Sequence, residues 1–132
     1  RLAMYRLAKN SKGKTMKKEI QILSKNDIDV QKALENFLGD EELYVYCVKE
    51  FLRDPCFARL KTFLKMEIRS SSMKTADFIG TFSEKLGFLQ LAEHSKKTYL
   101  LLSEEKMKKA KESFKNIEIA RGQLSELIFE KE

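Results

Sequence analysis

His94 is the only imidazole in this chain of 132 residues, so it is the first residue to consider as a nucleophile. Imidazole is neutral and nucleophilic near physiological pH, which suits it to carry a phosphoryl group. The order His94-Ser95-Lys96-Lys97 gives a His-x-x-Lys spacing. Because that spacing arises readily in a lysine-rich chain, we favour the interpretation that His94 is a surface or helix-boundary histidine.

Two cysteines, Cys47 and Cys56, are the other side chains that could react or bind a metal. With a single histidine in the chain they do not complete a zinc ligand set, so we predict two buried thiols of a cytosolic protein. The sequence also has neither a Gly-rich phosphate loop nor a Ser-His-Asp order. We therefore expect no enzymatic activity, no metal and no cofactor.

Helices must position these residues, because apolar residues recur at three- and four-residue spacings and only one proline and five glycines interrupt the chain. The pattern predicts a short helix over residues 27–38, capped by Asp27 or Asp29, and a longer helix capped by Asp40. Pro55 should kink that longer helix, whose apolar pattern then resumes.

Three more helices are predicted, over residues 73–86, 89–102 and 104–132. Ser70 to Ser72 should form the linker before the first of these, Gly87 should end it, and Ser103 should cap the last. The predicted fold class is all-α, an up-down four-helix bundle with a short leading helix.

Residues 1–24 do not follow the pattern of the bundle, and we predict a connector in which residues 19–23 are extended. Lysine and arginine crowd into its first part and into residues 106–115, and the net charge is +6. We favour a solvated tail and helix face, because no nucleic-acid motif or interleaved aromatic residue accompanies the charge. No apolar run is long enough for a membrane span. We expect a cytoplasmic protein that binds no nucleic acid and does not insert into a membrane.

The chain resembles a histidine phosphotransfer (HPt) domain at its first two predicted helices, in the sequences Ile28-Asp29-Val30, Gly39-Asp40-Glu41-Glu42-Leu43-Tyr44 and Phe51-Leu52. Leu86-Gly87 is similar to the Leu-Gly turn that follows the active-site helix of that family. The resemblance covers residues 27–127, about three quarters of the chain. It implies an HPt-type bundle in residues 25–132.

The active site of that family reads His-x-x-Lys-Gly, with the histidine nine residues before the leucine of the turn. In this chain Asp77 stands in place of the histidine, Gly80 in place of the lysine and Thr81 in place of the glycine. A carboxylate repels an acyl phosphate and would form a mixed anhydride no better than the starting one. The absent lysine also removes a positive charge near the phosphoryl oxygens. The resemblance thus implies a bundle that has lost its phospho-acceptor.

The leading hypothesis is a non-catalytic signalling module of a two-component phosphorelay that docks a response-regulator receiver domain without relaying phosphate. Its docking face would be the exposed side of the third helix, at Asp77, Gly80, Thr81 and Glu84. Phe78 and Phe82 either add contact area there or, at their i, i+4 spacing, belong to the core. Two alternatives remain: active phosphotransfer through His94, and a structural or dimerisation spacer built on residues 104–132.

The first residues resemble the end of a GGDEF (diguanylate cyclase) domain, at Leu2-Ala3-Met4-Tyr5-Arg6 and in residues 8–14. A generic basic linker is the alternative. The resemblance implies that residues 1–24 are a stub from a preceding domain and that the chain is a piece of a multidomain signalling protein. We favour a monomer.

Overall fold

The computed structural model describes residues 18–26 and 28–129. Every regular element in these ranges is a helix, which agrees with the all-α prediction. The helices are α1 (residues 18–25), α2 (Val30–Glu35), α3 (Glu41–Leu52), α4 (Cys56–Lys65), α5 (Arg69–Leu86), α6 (Leu89–Ser103) and α7 (Met107–Phe129). Residues 1–17 of the predicted stub, the predicted cap Asp27 and residues 130–132 lie outside the described ranges.

Aspartate side chains begin the second and third helices as predicted. Asp29 accepts a hydrogen bond from the backbone N–H of Lys32 at 3.3 Å, and Asp40 accepts one from Leu43 at 3.0 Å. Each carboxylate satisfies a backbone donor that has no partner within its helix and favours the positive end of the helix dipole.

Four helices end in the same left-handed turn. The turn is made by a residue with positive φ: Leu38 after α2, where Gly39 also has positive φ, Glu67 after α4, Gly87 after α5 and Glu105 after α6. In each case the following N–H donates to the carbonyl five residues earlier, as Phe88 does to Ser83 at 2.9 Å. This arrangement satisfies carbonyls at the helix end. The predicted stop at Gly87 is therefore confirmed, whereas α2 ends sooner than predicted.

Two predicted helix boundaries are wrong. Ser70 to Ser72 are the first turn of α5 and not a linker, because the chain has already turned at Glu67 and Ile68 takes an extended N-cap conformation. Ser103 does not cap α7; it is the last residue of α6, and its hydroxyl donates to the carbonyl of Leu100 at 2.6 Å.

A short turn containing Pro55 separates α3 from α4, where the sequence predicted a kinked continuation. The carboxylate of Asp54 accepts a hydrogen bond from the N–H of Cys56 at 2.8 Å. Arg121 of α7 donates from Nε and Nη2 to the carbonyl of Leu52, at 3.1 and 2.8 Å, and lies 4.5 Å from the ring centroid of Phe57. The guanidinium thus holds both helices at their junction.

We predicted a connector in residues 1–24 in which residues 19–23 are extended, and the prediction for residues 19–23 is wrong. Residues 18–25 are helical, not extended, and Leu23 is fully buried in the core. Glu19 forms an ion pair with Lys49 of α3 at 2.8 Å. Ile20 and Leu23 are three residues apart, so a helix brings both to one face. The predicted domain boundary at residue 24 therefore falls inside a packed helix.

Most of the core lies between helices α3 to α7, and side chains of α1 and α2 complete it. Helix α5 contacts α4 and α6, helix α6 contacts α7, and α7 returns to α3 and α4. Fully buried side chains from these helices include Leu60, Ile79, Leu102 and Ile117. The chain is a helical bundle, and none of its helices in the described ranges is both long and apolar enough to cross a membrane.

Candidate functional site

Helix α5 presents three of the four residues predicted for the docking face. Asp77, Thr81 and Glu84 are exposed, at spacings of four and three residues that place them on one face of the helix. Asp77 lies near the middle of the 18-residue helix. The opposite side of α5 carries the fully buried Ala76 and Ile79. We call Asp77, Thr81 and Glu84 the α5 face.

Gly80 does not belong to the exposed surface, and that prediction is wrong. The residue is buried where α5 and α6 meet. A Cβ at position 80 would lie 3.4 Å from the Cβ of Ser95 and 3.7 Å from the carbonyl oxygen of Ala92. The glycine therefore allows the two helices to approach closely, and a partner would not reach its backbone directly.

A lysine from the neighbouring helix lies over this glycine. The Cγ of Lys96 would be 3.7 Å from a Cβ at position 80, and its ammonium group pairs with the carboxylate of Glu84. Both partners of the pair are well exposed, at 61% and 46% of their side-chain surface. Lys96 therefore belongs to the same surface as the α5 face. The His-x-x-Lys spacing from His94 is the only feature by which the sequence analysis singled out Lys96.

The two phenylalanines of α5 have different environments. Phe82 is half-buried and stacks on Phe51 of α3, with ring centroids 5.0 Å apart. Phe78 is 45% exposed and lies 5.9 Å from Phe82. Phe82 thus belongs to the packing of the core, while Phe78 carries the aromatic cluster to the surface beside Asp77.

Hydrogen bonds from other helices fix the C-terminal end of α5. The hydroxyl of Tyr44 donates to the carbonyl of Leu86 at 2.6 Å, and Nδ2 of Asn36 donates to the carbonyl of Lys85 at 3.1 Å. Burial raises the pKa of Tyr44 above its usual value, so the hydroxyl keeps the proton it donates.

The N-terminal end of α5 is held in a similar way. Arg69 donates from Nε to the carbonyl of Leu102 at 2.7 Å and from Nη2 to that of Ser103 at 3.1 Å. These carbonyls end α6, where a positive charge complements the helix dipole. The α5 face is consequently a surface whose backbone is fixed at both ends.

His94 is half-buried and lies on another side of α6. Its backbone carbonyl accepts a hydrogen bond from the hydroxyl of Thr98 at 2.9 Å, and that hydroxyl is also 2.8 Å from the hydroxyl of Ser113 in α7. Because residues 94 and 98 are one turn apart, His94 lies toward α7, whereas Ser95 and Lys96 lie toward α5. The structure does not bring His94 together with Asp77.

Two open clefts flank the Leu86-Gly87 turn. One, of about 490 Å³, lies between α2 and the α5–α6 junction and reaches Glu84 and Lys96. The other, of about 880 Å³, lies between the start of α6 and the end of α7 and includes Phe88 and Leu124. The smaller cleft continues the α5 face, and its lining mixes lysine and carboxylate side chains.

Neither cysteine is placed for catalysis or metal binding. Cys56 is buried as predicted, and burial, with Asp54 beside it, raises the pKa of its thiol to about 12. Cys47 is only half-buried, and burial raises its thiol pKa as well. Thiols with raised pKa values are poor nucleophiles at neutral pH. Across residues 18–26 and 28–129, no group of three histidine, cysteine or carboxylate side chains is arranged to hold a metal ion.

Comparison of the chain with models of protein families, with curated proteins and with solved structures gives no match.

Proposed function

We propose that this chain is a non-catalytic signalling module with an HPt-like bundle, which docks a receiver domain of a two-component phosphorelay through the α5 face and does not relay phosphate. The observation that carries the proposal is the position of Asp77. Its carboxylate is exposed near the middle of α5. In the sequence resemblance this position corresponds to the phospho-accepting histidine of the family. We place the module in the cytoplasm, where its two free thiols would stay reduced.

The order of helix contacts supports an up-down arrangement of the helices, which is part of this proposal. Helices α4, α5, α6 and α7 contact one another in sequence, and α7 returns to α4. Short connections between consecutive, contacting helices favour antiparallel neighbours. With α3 and α4 taken as one interrupted helix and α2 as the short leading helix, we propose an up-down four-helix arrangement of the HPt type.

The chemistry of the α5 face suits docking better than phosphotransfer. Asp77 has no nitrogen nucleophile to accept a phosphoryl group, and His94 lies toward α7, away from this face. The α5 face has a fixed backbone and carries the charges of Asp77 and Glu84. Lys96 and the exposed ring of Phe78 lie beside it. Charged groups around an aromatic contact are typical of surfaces that bind other proteins.

Binding to purified receiver domains from the same genome tests the proposal. Thr81→Arg adds a long charged side chain to the α5 face and should weaken binding at least about tenfold, because it obstructs the contact surface. Asn116→Arg makes the same change in charge at an exposed position of α7 and should bind as the unaltered chain does. Isothermal titration calorimetry measures both, with circular dichroism to verify folding. The proposal fails if no receiver binds, or if both variants weaken binding equally.

Phosphotransfer through His94 is the first alternative, and incubation with phosphorylated receivers tests it. We expect no acid-labile label on the unaltered chain. Label that disappears in His94→Ala would establish active transfer and contradict the non-catalytic proposal. The half-exposed position of His94 leaves this reaction sterically open.

A dimerisation spacer is the second alternative, and one observation favours it. Ile119 of α7 is 59% exposed, and a Cβ at the nearby Gly122 would have no atom of the described residues within 4 Å. A second chain could cover this surface. Light scattering across a range of concentrations distinguishes the docking module from the spacer. We expect a monomer at every concentration, whereas the spacer requires a dimer.

A further inference from the structure

A cation from the neighbouring helix α6, Lys96, lies beside the α5 face. Lys96 of α6 lies with its aliphatic stem over Gly80, where its Cγ would be 3.7 Å from a Cβ. Any larger side chain at position 80 would compete for the space that this stem and Ser95 occupy. The glycine and the lysine are therefore complementary, since the absence of one side chain leaves room for the other.

Two carboxylates of α5 flank Gly80, the residue over which this stem lies. Asp77 precedes Gly80 by three residues and Glu84 follows it by four, so each lies one helical turn away on the same side of α5. In the structure the ammonium group pairs with Glu84. A flexible lysine stem allows it to change partners by rotation of its side chain.

The pair of Lys96 and Glu84 contributes little to the stability of the fold. Both side chains are largely exposed, and exposed ion pairs contribute little to folding because water and salt screen them. Lys96 is exposed beside the smaller cleft, so it remains available to an anionic group of another molecule.

We infer that Lys96 is the cation with which the α5 face holds an anionic group of its partner, a phosphoryl or carboxylate group, against the repulsion of Asp77 and Glu84. This inference rests on the proposed function. It assigns to Lys96 the positive charge near the anion that a lysine at position 80 supplies in the family that the chain resembles. Lys96 is a positioning residue: it attracts and orients the anion, and Glu84 competes with that anion for the ammonium group.

The variant Asp77→His tests the inference without any partner protein, with phosphoramidate as the phosphoryl donor. A nitrogen of the introduced imidazole attacks phosphorus, a nitrogen–phosphorus bond forms, and the bond to the amino group of phosphoramidate breaks. Ammonia leaves and takes up a proton from water, while the imidazole gives its own proton to the buffer. If Lys96 holds the phosphoryl oxygens, the reaction at residue 77 should be faster than reaction at the half-exposed His94 of the same chain.

Lys97 supplies the matched control, because it is the next residue of α6 and is also exposed to solvent but lies about 100° further round the helix. We expect Lys96→Ala, introduced into the Asp77→His variant, to slow labelling of residue 77 about tenfold. The same change at Lys97 should leave the rate unaltered. Mass spectrometry of peptides kept at alkaline pH assigns and quantifies the label, since phosphohistidine is lost in acid.

Equal rates in the Lys96 and Lys97 variants would overturn the inference, and so would the absence of label at residue 77 in every variant. Circular dichroism distinguishes either result from a failure to fold. Because the reaction contains no receiver domain, its outcome is independent of the calorimetric test. A chain that binds no receiver but reacts as expected would lose the proposed function and keep the assignment of Lys96.

Discussion

At the scale of single residues, Gly87 carries the strictest steric requirement of the bundle. Its backbone has φ +84°, and a Cβ at this position would lie 2.8 Å from the carbonyl oxygen of Asp29. The glycine therefore serves two purposes, since it ends α5 in a left-handed turn and lets the start of α2 pack against that turn. The sequence also predicted that Gly87 ends this helix.

Gly87→Ala should lower the free energy of unfolding by roughly 2–4 kcal/mol, because the left-handed backbone and the contact with a backbone oxygen both oppose a Cβ. Gly122→Ala is the matched control. Gly122 is exposed within α7, with open space where its Cβ would be, so alanine there should raise the free energy of unfolding by about 0.5–1 kcal/mol. Urea denaturation followed by circular dichroism measures both, and a loss of stability in both variants would contradict this assignment.

At the scale of helices, the sequence predicted where most elements lie and was wrong about several of their ends. Period-3.6 apolar spacing and the two aspartate caps located α2 and α3 because both signals are local. Leu38, Glu67 and Glu105 end helices in left-handed turns although none of them is glycine. Without glycine at these positions, the sequence carries no local signal for their positive φ.

The turn at Glu105 offers a direct test of this strain. Glu105 is exposed with φ +60°, whereas the adjacent Glu104 has φ −90°. Glu105→Gly should raise the free energy of unfolding by about 1 kcal/mol, because glycine adopts positive φ without a steric cost. Glu104→Gly should lower it by about 0.5–1 kcal/mol, since it only makes the unfolded chain more flexible. Thermal and urea unfolding report both signs, and equal effects would show that the turn is unstrained.

At the candidate site too, the sequence predicted the features that depend on one helix and missed those that depend on the packing of two helices. The exposure of Asp77, Thr81 and Glu84 follows from helical periodicity and agrees with the prediction. The burial of Gly80 and the approach of Lys96 depend on how α5 and α6 pack together, which no spacing within α5 specifies. A glycine in the middle of a predicted helix was the one sequence signal that another helix comes close.

At the scale of the whole molecule, the extent of the folding unit differs from the predicted domain boundary. Leu23 of α1 is fully buried in the same core as the side chains of α2 to α7, and Glu19 pairs with Lys49 of α3. The backbone N–H groups of Asn26 and Ile28 both donate to the carbonyl of Leu23, at 3.0 and 3.3 Å, which turns the chain directly from α1 toward α2. Helix α1 is thus an integral element of the bundle.

This integration predicts that a change in α1 destabilises the entire domain. Leu23→Ala should lower the free energy of unfolding by about 2–5 kcal/mol in a single transition, because it leaves a cavity in the shared core. Ile22→Ala removes a similar volume from a half-exposed neighbour and should cost markedly less. Hydrogen exchange adds the decisive measurement. Loss of protection confined to α1 in Leu23→Ala would make α1 a separate appendage, whereas loss throughout α3 to α7 would establish one cooperative unit that begins before residue 25.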